Sequence, residues 1–345
     1  MEKLLVLTHV DESGTALTKA SLESVAAGVE FAGELGASLT IGIVGAQSAA
    51  AAQQLAGAAA RVLAVSGEAF AQARYASDAA ACEALVRAAE ATIVFAPASS
   101  RFDRVAPGVA YRLGGFTDTH ITSLAKGETL EATRWYYRQR VEAVVRRETR
   151  PWFLLLEAGT RAAWTPSGSA SEVETVSVTL PALRTNVTGV RAPRQDEQTI
   201  RPEAKVLFVA GAGWTKKQAD GQVHAVEAEQ LILGFLRAAD ASLGSSKSLV
   251  DQSGENQAVL KFMTHMNQIG QTGSTPRHPK GLSTCCHGEE PHVVGWRFIT
   301  ERRAVSLDPN CGWARGKADV LYVADAFKVM AKVNALLTEQ NKASN

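Results

Sequence analysis

The chain has 345 residues, more than a single domain of about 100–200 residues, so two domains are expected. Apolar residues make up 46% and charged residues 21%, as in ordinary globular proteins, and a formal net charge of +1 offers no electrostatic case for nucleic acid as a partner. No stretch approaches the roughly 18 apolar residues of a membrane span, and the four cysteines are too few and too irregular for a disulfide framework.

The first residues, Lys3-Leu4-Leu5-Val6-Leu7, read as a strand rather than as a signal peptide or transit leader. A cytoplasmic protein of bacterial type is therefore expected. Strand and helix signals then alternate. Leu4 to Thr8 is a strand, and Ala16 to Leu35 is a helix stopped by Gly36. Leu39 to Val44 is a strand, Ala49 to Ala60 an alanine-rich helix, and Arg61 to Val65 a strand. Asp78 to Ala89 is helical, Thr92 to Ala96 a buried strand ending at Pro97, and Val105 to Leu113 a helix before Gly114-Gly115. Short apolar strands between helices predict a parallel sheet covered on both faces.

The middle of the chain changes character. Glu131 to Glu157 reads as paired strands, Thr133 to Arg140, Val141 to Arg147 and Trp152 to Glu157. Six arginines (134, 138, 140, 146, 147 and 150) decorate it. They are either the solvated face of an antiparallel ribbon or a docking surface for an acidic partner. Residues 164–204, with Pro166, Ser167, Gly168, Ser169, Pro181, Pro193 and Pro202, form the best candidate linker.

A second alternating pattern follows. Val206 to Val209 is a strand entering Gly211-Ala212-Gly213, and Val223 to Ala239 is a helix. Ala304 to Ser306 and Val320 to Val323 are strands, and Ala324 to Leu337 is a closing helix. Residues 205–340 thus predict a smaller doubly wound domain.

The motifs are weak one by one. Gly211-Ala212-Gly213-Trp214 lacks the third small residue of the dinucleotide fingerprint, because Lys216 stands there, so a plain strand-to-helix turn is the simpler reading. Gly270-Gln271-Thr272-Gly273 brackets an amide and a hydroxyl with glycines, which suits close backbone approach to a ligand as well as a surface turn. Cys285-Cys286-His287 and His292, with His265, His278 and Cys311, suggest a metal. Adjacent cysteines chelate one ion poorly, however, and His287 and His292 are separated by a glycine and a proline, so no metal site is expected.

Together these pieces resemble the α subunit of the electron-transfer flavoproteins. That family's Gln-Val-Gly-Gln-Thr-Gly segment is matched by Gln268-Ile269-Gly270-Gln271-Thr272-Gly273. Its Gln-His, x-x-Gly and Ala-Ile-Asn series is matched by His292, Gly295 and Ala304-Val305-Ser306. Its closing segment corresponds to Ala318-Asp319 and Asp325-Ala326-Phe327-Lys328-Val329, and its Gly-Ala-Ser-Arg turn to Gly244-Ser245-Ser246-Lys247. Two departures stand out: the Ser-Gly-Gly-Arg-Gly turn is here Ala210-Gly211-Ala212-Gly213-Trp214, and Ser306 replaces an asparagine.

The resemblance implies an α/β chain. Its N-terminal part, residues 1–200, would be a nucleotide-hydrolase- or flavodoxin-like parallel-sheet domain with the ribbon and linker. Residues 201–345 would be a smaller doubly wound FAD-binding domain. It also implies cofactor contacts. Ser246 and Lys247 would lie near pyrophosphate and flavin, and Ile269, Gly270, Gln271 and Thr272 along the isoalloxazine edge. His287, Gly288, Glu289, Glu290, Pro291 and His292 would wrap the phosphates and bring His292 toward O2. Ser306, Asp325 and Ala326 would hold the nucleotide end. The implied function is electron relay rather than catalysis on a substrate. The implied partners are a smaller β subunit in a heterodimer, a flavin dehydrogenase as donor, and a quinone reductase or iron–sulfur protein as acceptor. The alternative is a protein of the same fold without FAD, binding a nucleotide or only a partner.

Overall fold

A computed structural model describes residues 2–59, 61–136, 141–169, 171–189, 200–201, 204–251, 259–269, 278–284, 299–311, 314 and 318–344. The chain divides into two units, Met1–Val190 and Arg191–Asn345. Among the described residues no helix is long and apolar enough to cross a membrane.

The first unit is built on strands β1 (Lys3–His9), β2 (Ser38–Gly45), β3 (Arg61–Ser66), β4 (Ile93–Pro97), β5 (Phe116–Lys126), β6 (Leu130–Tyr136), β7 (Val141–Val145), β8 (Trp152–Leu156) and β9 (Val173–Thr175). They form one sheet in the order β7-β6-β5-β8-β4-β1-β2-β3-β9. Pairing is parallel from β5 through β8 to β9, and antiparallel only along β5-β6-β7. The central strands are buried along nearly their whole length, as a sheet covered on both faces requires. Helices α1 (Lys19–Leu35), α2 (Ser48–Ala51), α3 (Tyr75–Ala88) and α4 (Ser100–Arg112) connect the strands. Apolar clusters occupy both faces: one gathers Val25 and Phe31 of α1, the other Leu85 of α3 and Val105 of α4.

Several expectations change here. The alanine-rich stretch is not one helix over 49–60. It makes only α2 and a single 3₁₀ turn, Ala52–Leu55. Gly57 then adopts φ +75°, and a Cβ there would lie 2.0 Å from the Ser167 carbonyl oxygen, so tertiary packing stops the helix that alanine propensity favours. Helix α4 begins at Ser100, capped by the Ser99 hydroxyl, and runs through Pro107. Strand β5, which the pattern did not disclose, pairs with both β8 and β6. Strand β8 is no part of the ribbon but lies between β4 and β5 in the parallel sheet. The expected linker contributes β9, which pairs with β3, so its first part belongs to the first unit.

Four of the six ribbon arginines make ion pairs within the first unit. Arg134 and Arg147 both bind the fully buried Asp118, Arg146 pairs with Glu131, and Arg150 pairs with Glu2. Arg138 and Arg140 lie outside the described residues.

The second unit contains β10 (Val206–Ala210), β11 (Ser242–Ser245), β12 (Lys280–Thr284), β13 (Glu301–Ser306) and β14 (Val320–Val323), all parallel, in the order β11-β10-β12-β13-β14. Helices α5 (Ala225–Ala238), α6 (Lys247–Asp251) and α7 (Ala326–Ser344) accompany them. Helices α5 and α7 pack on one face, where Phe208, Ile232, Phe235, Phe327 and Met330 form a common core. Strands β11 and β12 were not expected from sequence.

Candidate functional site

The strand order of the second unit dictates where a ligand has room. The chain leaves β10 for β11 on one side and returns to β12 on the other, so the connections diverge at the carboxyl ends of β10 and β12. In open parallel sheets the crevice at such a switch point is the usual ligand site. The ends are fastened to one another here. Gly211 N donates to the Thr284 carbonyl (3.0 Å), Ser246 N to the Ala210 carbonyl (2.9 Å) and Ala324 N to the Ser306 carbonyl (3.1 Å).

Each candidate residue that the structure describes sits on this edge. Ser246 and Lys247 directly follow β11. The Ser246 hydroxyl accepts from Leu249 N (3.3 Å) and caps the short α6. The Lys247 ammonium is 2.6 Å from Asp251 Oδ2, and His265 Nε2 is 3.1 Å from Asp251 Oδ1. Lys247 first, then His265, holds the Asp251 carboxyl below its ordinary range. Lys247 thus reaches this edge already paired with a carboxylate.

Ile269 is buried, and its N–H donates to the Ser245 carbonyl (3.1 Å). Gln268 forms a parallel bridge with Ser245, so the chain approaching Gly270 runs alongside β11 toward the carboxyl edge. A Cβ on Gly244 would come within 2.8 Å of Ile269 Cγ2, which explains the glycine of β11. Ser306 ends β13, and its hydroxyl accepts from Asp308 N (3.2 Å). Asp325 caps α7 by accepting from Phe327 N (2.9 Å), and Ala326 opens that helix, buried. Gly270, Gln271, Thr272, His287, Gly288, Glu289, Glu290, Pro291 and His292 lie outside the described residues.

Sequence order alone could not assemble this set. Residues 246, 269, 306 and 325 share one edge only because β11, β13 and β14 end on the same side. Strands β11 and β14 are the two margins of the sheet, four strand spacings apart, or about 19 Å. Only an extended ligand reaches both.

Sequence reasoning missed two features. The Ser245 hydroxyl is fully buried at the end of β11 and has no hydrogen-bond partner among the described residues. Other buried side-chain atoms lack a hydrogen bond too, but this one stands at the carboxyl end of β11. Trp214, in the turn after β10, is also fully buried. Its indole N–H donates to the Thr284 hydroxyl (2.8 Å) and its ring packs on Phe327, with centroids 4.6 Å apart. A tryptophan directly after a Gly-Ala-Gly turn was the available signal, because a large side chain there must be buried by neighbouring strand ends.

Two open α/β sheets, the second with its switch point at this edge, define a protein of the doubly wound α/β class. Residues 6–181 match the family model described as the electron transfer flavoprotein domain, which is 176 of the 345 residues. The chain belongs to the electron transfer flavoprotein domain family. The match lies wholly within the first unit. Comparison with curated proteins returns no match.

Proposed function

We propose that this chain is the larger, α subunit of a heterodimeric electron-transfer flavoprotein and carries FAD on its second unit. It acts as an electron carrier with no substrate of its own. It takes electrons from a flavin dehydrogenase and passes them to a quinone reductase or an iron–sulfur protein. The observation that carries this reading is the gathering of Ser246, Lys247, Ile269, Ser306, Asp325 and Ala326 along one carboxyl edge of a parallel sheet, in a chain of this family.

The residues present suit such a cofactor. The orphaned Ser245 hydroxyl supplies an unused donor and acceptor, and Lys247 supplies a cation whose charge Asp251 balances. FAD, when bound, supplies the one- and two-electron chemistry. The chain supplies position: β11 and the segment ending at Ile269 form one wall, and the turns after β13 and β14 the far end.

Cofactor extracted from the complex of this chain with its smaller subunit should be FAD, identified by chromatography and mass. A colourless complex with full nucleotide- or partner-binding capacity would replace this reading with that of a FAD-less binding protein. Ser245→Ala gives a sharper test. It removes a hydroxyl without a partner, so the flavin-free protein should be as stable as wild type or more so, by up to about 1 kcal/mol. Flavin affinity should fall at the same time. Unchanged affinity would remove Ser245 from the site.

A further inference from the structure

Strand β5 is irregular against both of its neighbours. Between Asp118 and Ile121 it advances three residues while β8 advances two, from Leu154 to Leu156. Between Ile121 and Ser123 it advances two while β6 advances one, from Arg134 to Thr133. Each is a bulge. The buried residues of this stretch, Asp118, Ile121 and Leu124, therefore recur at every third position instead of every second. A regular strand would turn His120 into the core and Ile121 out of it, so the apolar pattern requires the bulge.

His120 stands at the first bulge with φ 58°. This is left-handed backbone, uncommon for a residue with a side chain and costly to hold. Among the described residues Glu90 and Asp240 share it, but both follow helix ends, where that conformation is usual. His120 lies inside a strand. Its Nδ1 donates to Glu157 Oε1 (2.7 Å), since a carboxylate can only accept, and Glu157 N donates to the Ile121 carbonyl (2.8 Å). The residue that follows β8 thus grips the bulge by side chain and by backbone. The charged groups facing the imidazole are Glu157, Asp103 on α4 and Arg134 on β6. The bond to Glu157 holds the imidazole above its ordinary value. Burial opposes that shift, the charges of Glu157 and Asp103 add to it, and the charge of Arg134 opposes it.

We propose that the charged His120–Glu157 pair is a pH-responsive pin: it holds the bulge of β5, and loss of the imidazole proton loosens β5 beyond the bulge together with β6 and β7. Deprotonation leaves the Nδ1–H bond and removes its charge, while the backbone strain at His120 persists. A histidine whose folded-state pKa is raised contributes stability that is full below the unfolded value. That contribution is lost as pH rises through the folded value. The ribbon should therefore be tightest in mild acid and looser in mild base.

The test is hydrogen–deuterium exchange of the full chain from about pH 5.5 to about pH 8.5, a window that brackets the ordinary histidine value. Rates are corrected for the intrinsic effect of pH on exchange. Protection of peptides covering 121–126, 130–136 and 141–145 should fall roughly two- to fivefold across this window, the range for a solvent-exposed ion pair. Peptides covering 3–9 and 93–97 should not change. In His120→Asn, whose side chain tolerates left-handed backbone and carries no charge, the ribbon should lose its pH dependence. Titration of the His120 imidazole by NMR gives a second readout that needs no change at the strained position. Its midpoint should lie above about 6.5 in the wild type and fall toward it in Glu157→Gln. Ribbon protection that is independent of pH, or a pH dependence that survives in His120→Asn, would overturn the proposal. So would a loosening that spreads equally to β1 and β4, or a wild-type midpoint that Glu157→Gln does not move.

Discussion

Asp118→Ala is expected to destabilise the first unit by about 3–5 kcal/mol, the range found when one member of a buried ion pair is removed. Asp118 is fully buried on β5 and is the meeting point of its neighbours. It accepts from Arg134 Nη1 (2.7 Å) on β6, from Arg147 Nε (2.9 Å) and Nη2 (3.0 Å) beyond β7, and from Trp152 Nε1 (2.9 Å) on β8. Alanine would leave two guanidinium groups without their counter-charge and a buried indole N–H without an acceptor. The stacking of Arg147 over Phe116 and of Arg134 over Tyr136 would not replace that charge. Urea denaturation followed by circular dichroism measures the cost, with the two units fitted separately because they need not unfold together.

The pH dependence of this loss has a definite sign. Burial pushes the Asp118 carboxyl up, but the bonds from Arg147, Trp152 and Arg134 and the charge of Arg147 together pull it below its ordinary value. A folded-state pKa below the unfolded one gives stability that is present above the unfolded pKa and is lost as pH falls toward the folded one. The gap between wild type and variant should therefore be full at neutral pH and shrink below about pH 4. A gap under about 1 kcal/mol at pH 7 would show that the network is solvated and of little consequence.

Arg101→Met should produce a comparable loss, about 3–5 kcal/mol at pH 7, and this deficit also shrinks as pH falls, though through a carboxyl held above rather than below its ordinary value. Arg101 on α4 reaches Asp78 on α3 (2.7 Å) and also donates to the Phe70 carbonyl (2.7 Å). Both side chains are nearly inaccessible, at 8% and 1% exposure. Burial of Asp78 outweighs the hydrogen bond and charge of Arg101 and already holds its carboxyl above the ordinary range. Removing the cation lifts it further. A raised folded-state pKa favours the folded protein below the unfolded pKa, and that advantage is lost as pH rises through the folded value. The deficit of Arg101→Met should thus be largest at neutral pH and diminish toward pH 4. Adding Asp78→Leu should recover most of the loss, because an apolar pair of similar volume often replaces a buried ion pair without cost. A double variant as unstable as the single one would mean that the bond to the Phe70 carbonyl, not the charge, dominates.

Much of the architecture was legible in the residues. The strands at Leu4, Leu39, Arg61, Ile93 and Val206, and the helices ending at Leu35 and Ala88, carry their own periodicity, glycine stops and apolar runs. Such signals are local, so they survive without knowledge of the partner strands. The resemblance to the electron-transfer flavoproteins was likewise carried by short residue strings.

Tertiary structure decided what local pattern could not. Strands β11, Ser-Leu-Gly-Ser, and β12, Lys-Gly-Leu-Ser-Thr, are short, polar and glycine-bearing, and are strands only because β10 pairs with both. The same holds for β9, drawn out of an apparent linker by β3, and for β8, which reads as a ribbon strand but lies within the parallel sheet. The alanine run would be helix on propensity alone and is cut short where Gly57 meets Ser167. At the candidate site the sequence by itself determined residue types and spacing: serines and a lysine after one strand, an aspartate before the last helix. Which of them share an edge, and that Trp214 reaches the ends of neighbouring strands, were decided by strand order, because a parallel sheet gathers at its carboxyl edge residues that lie far apart along the chain.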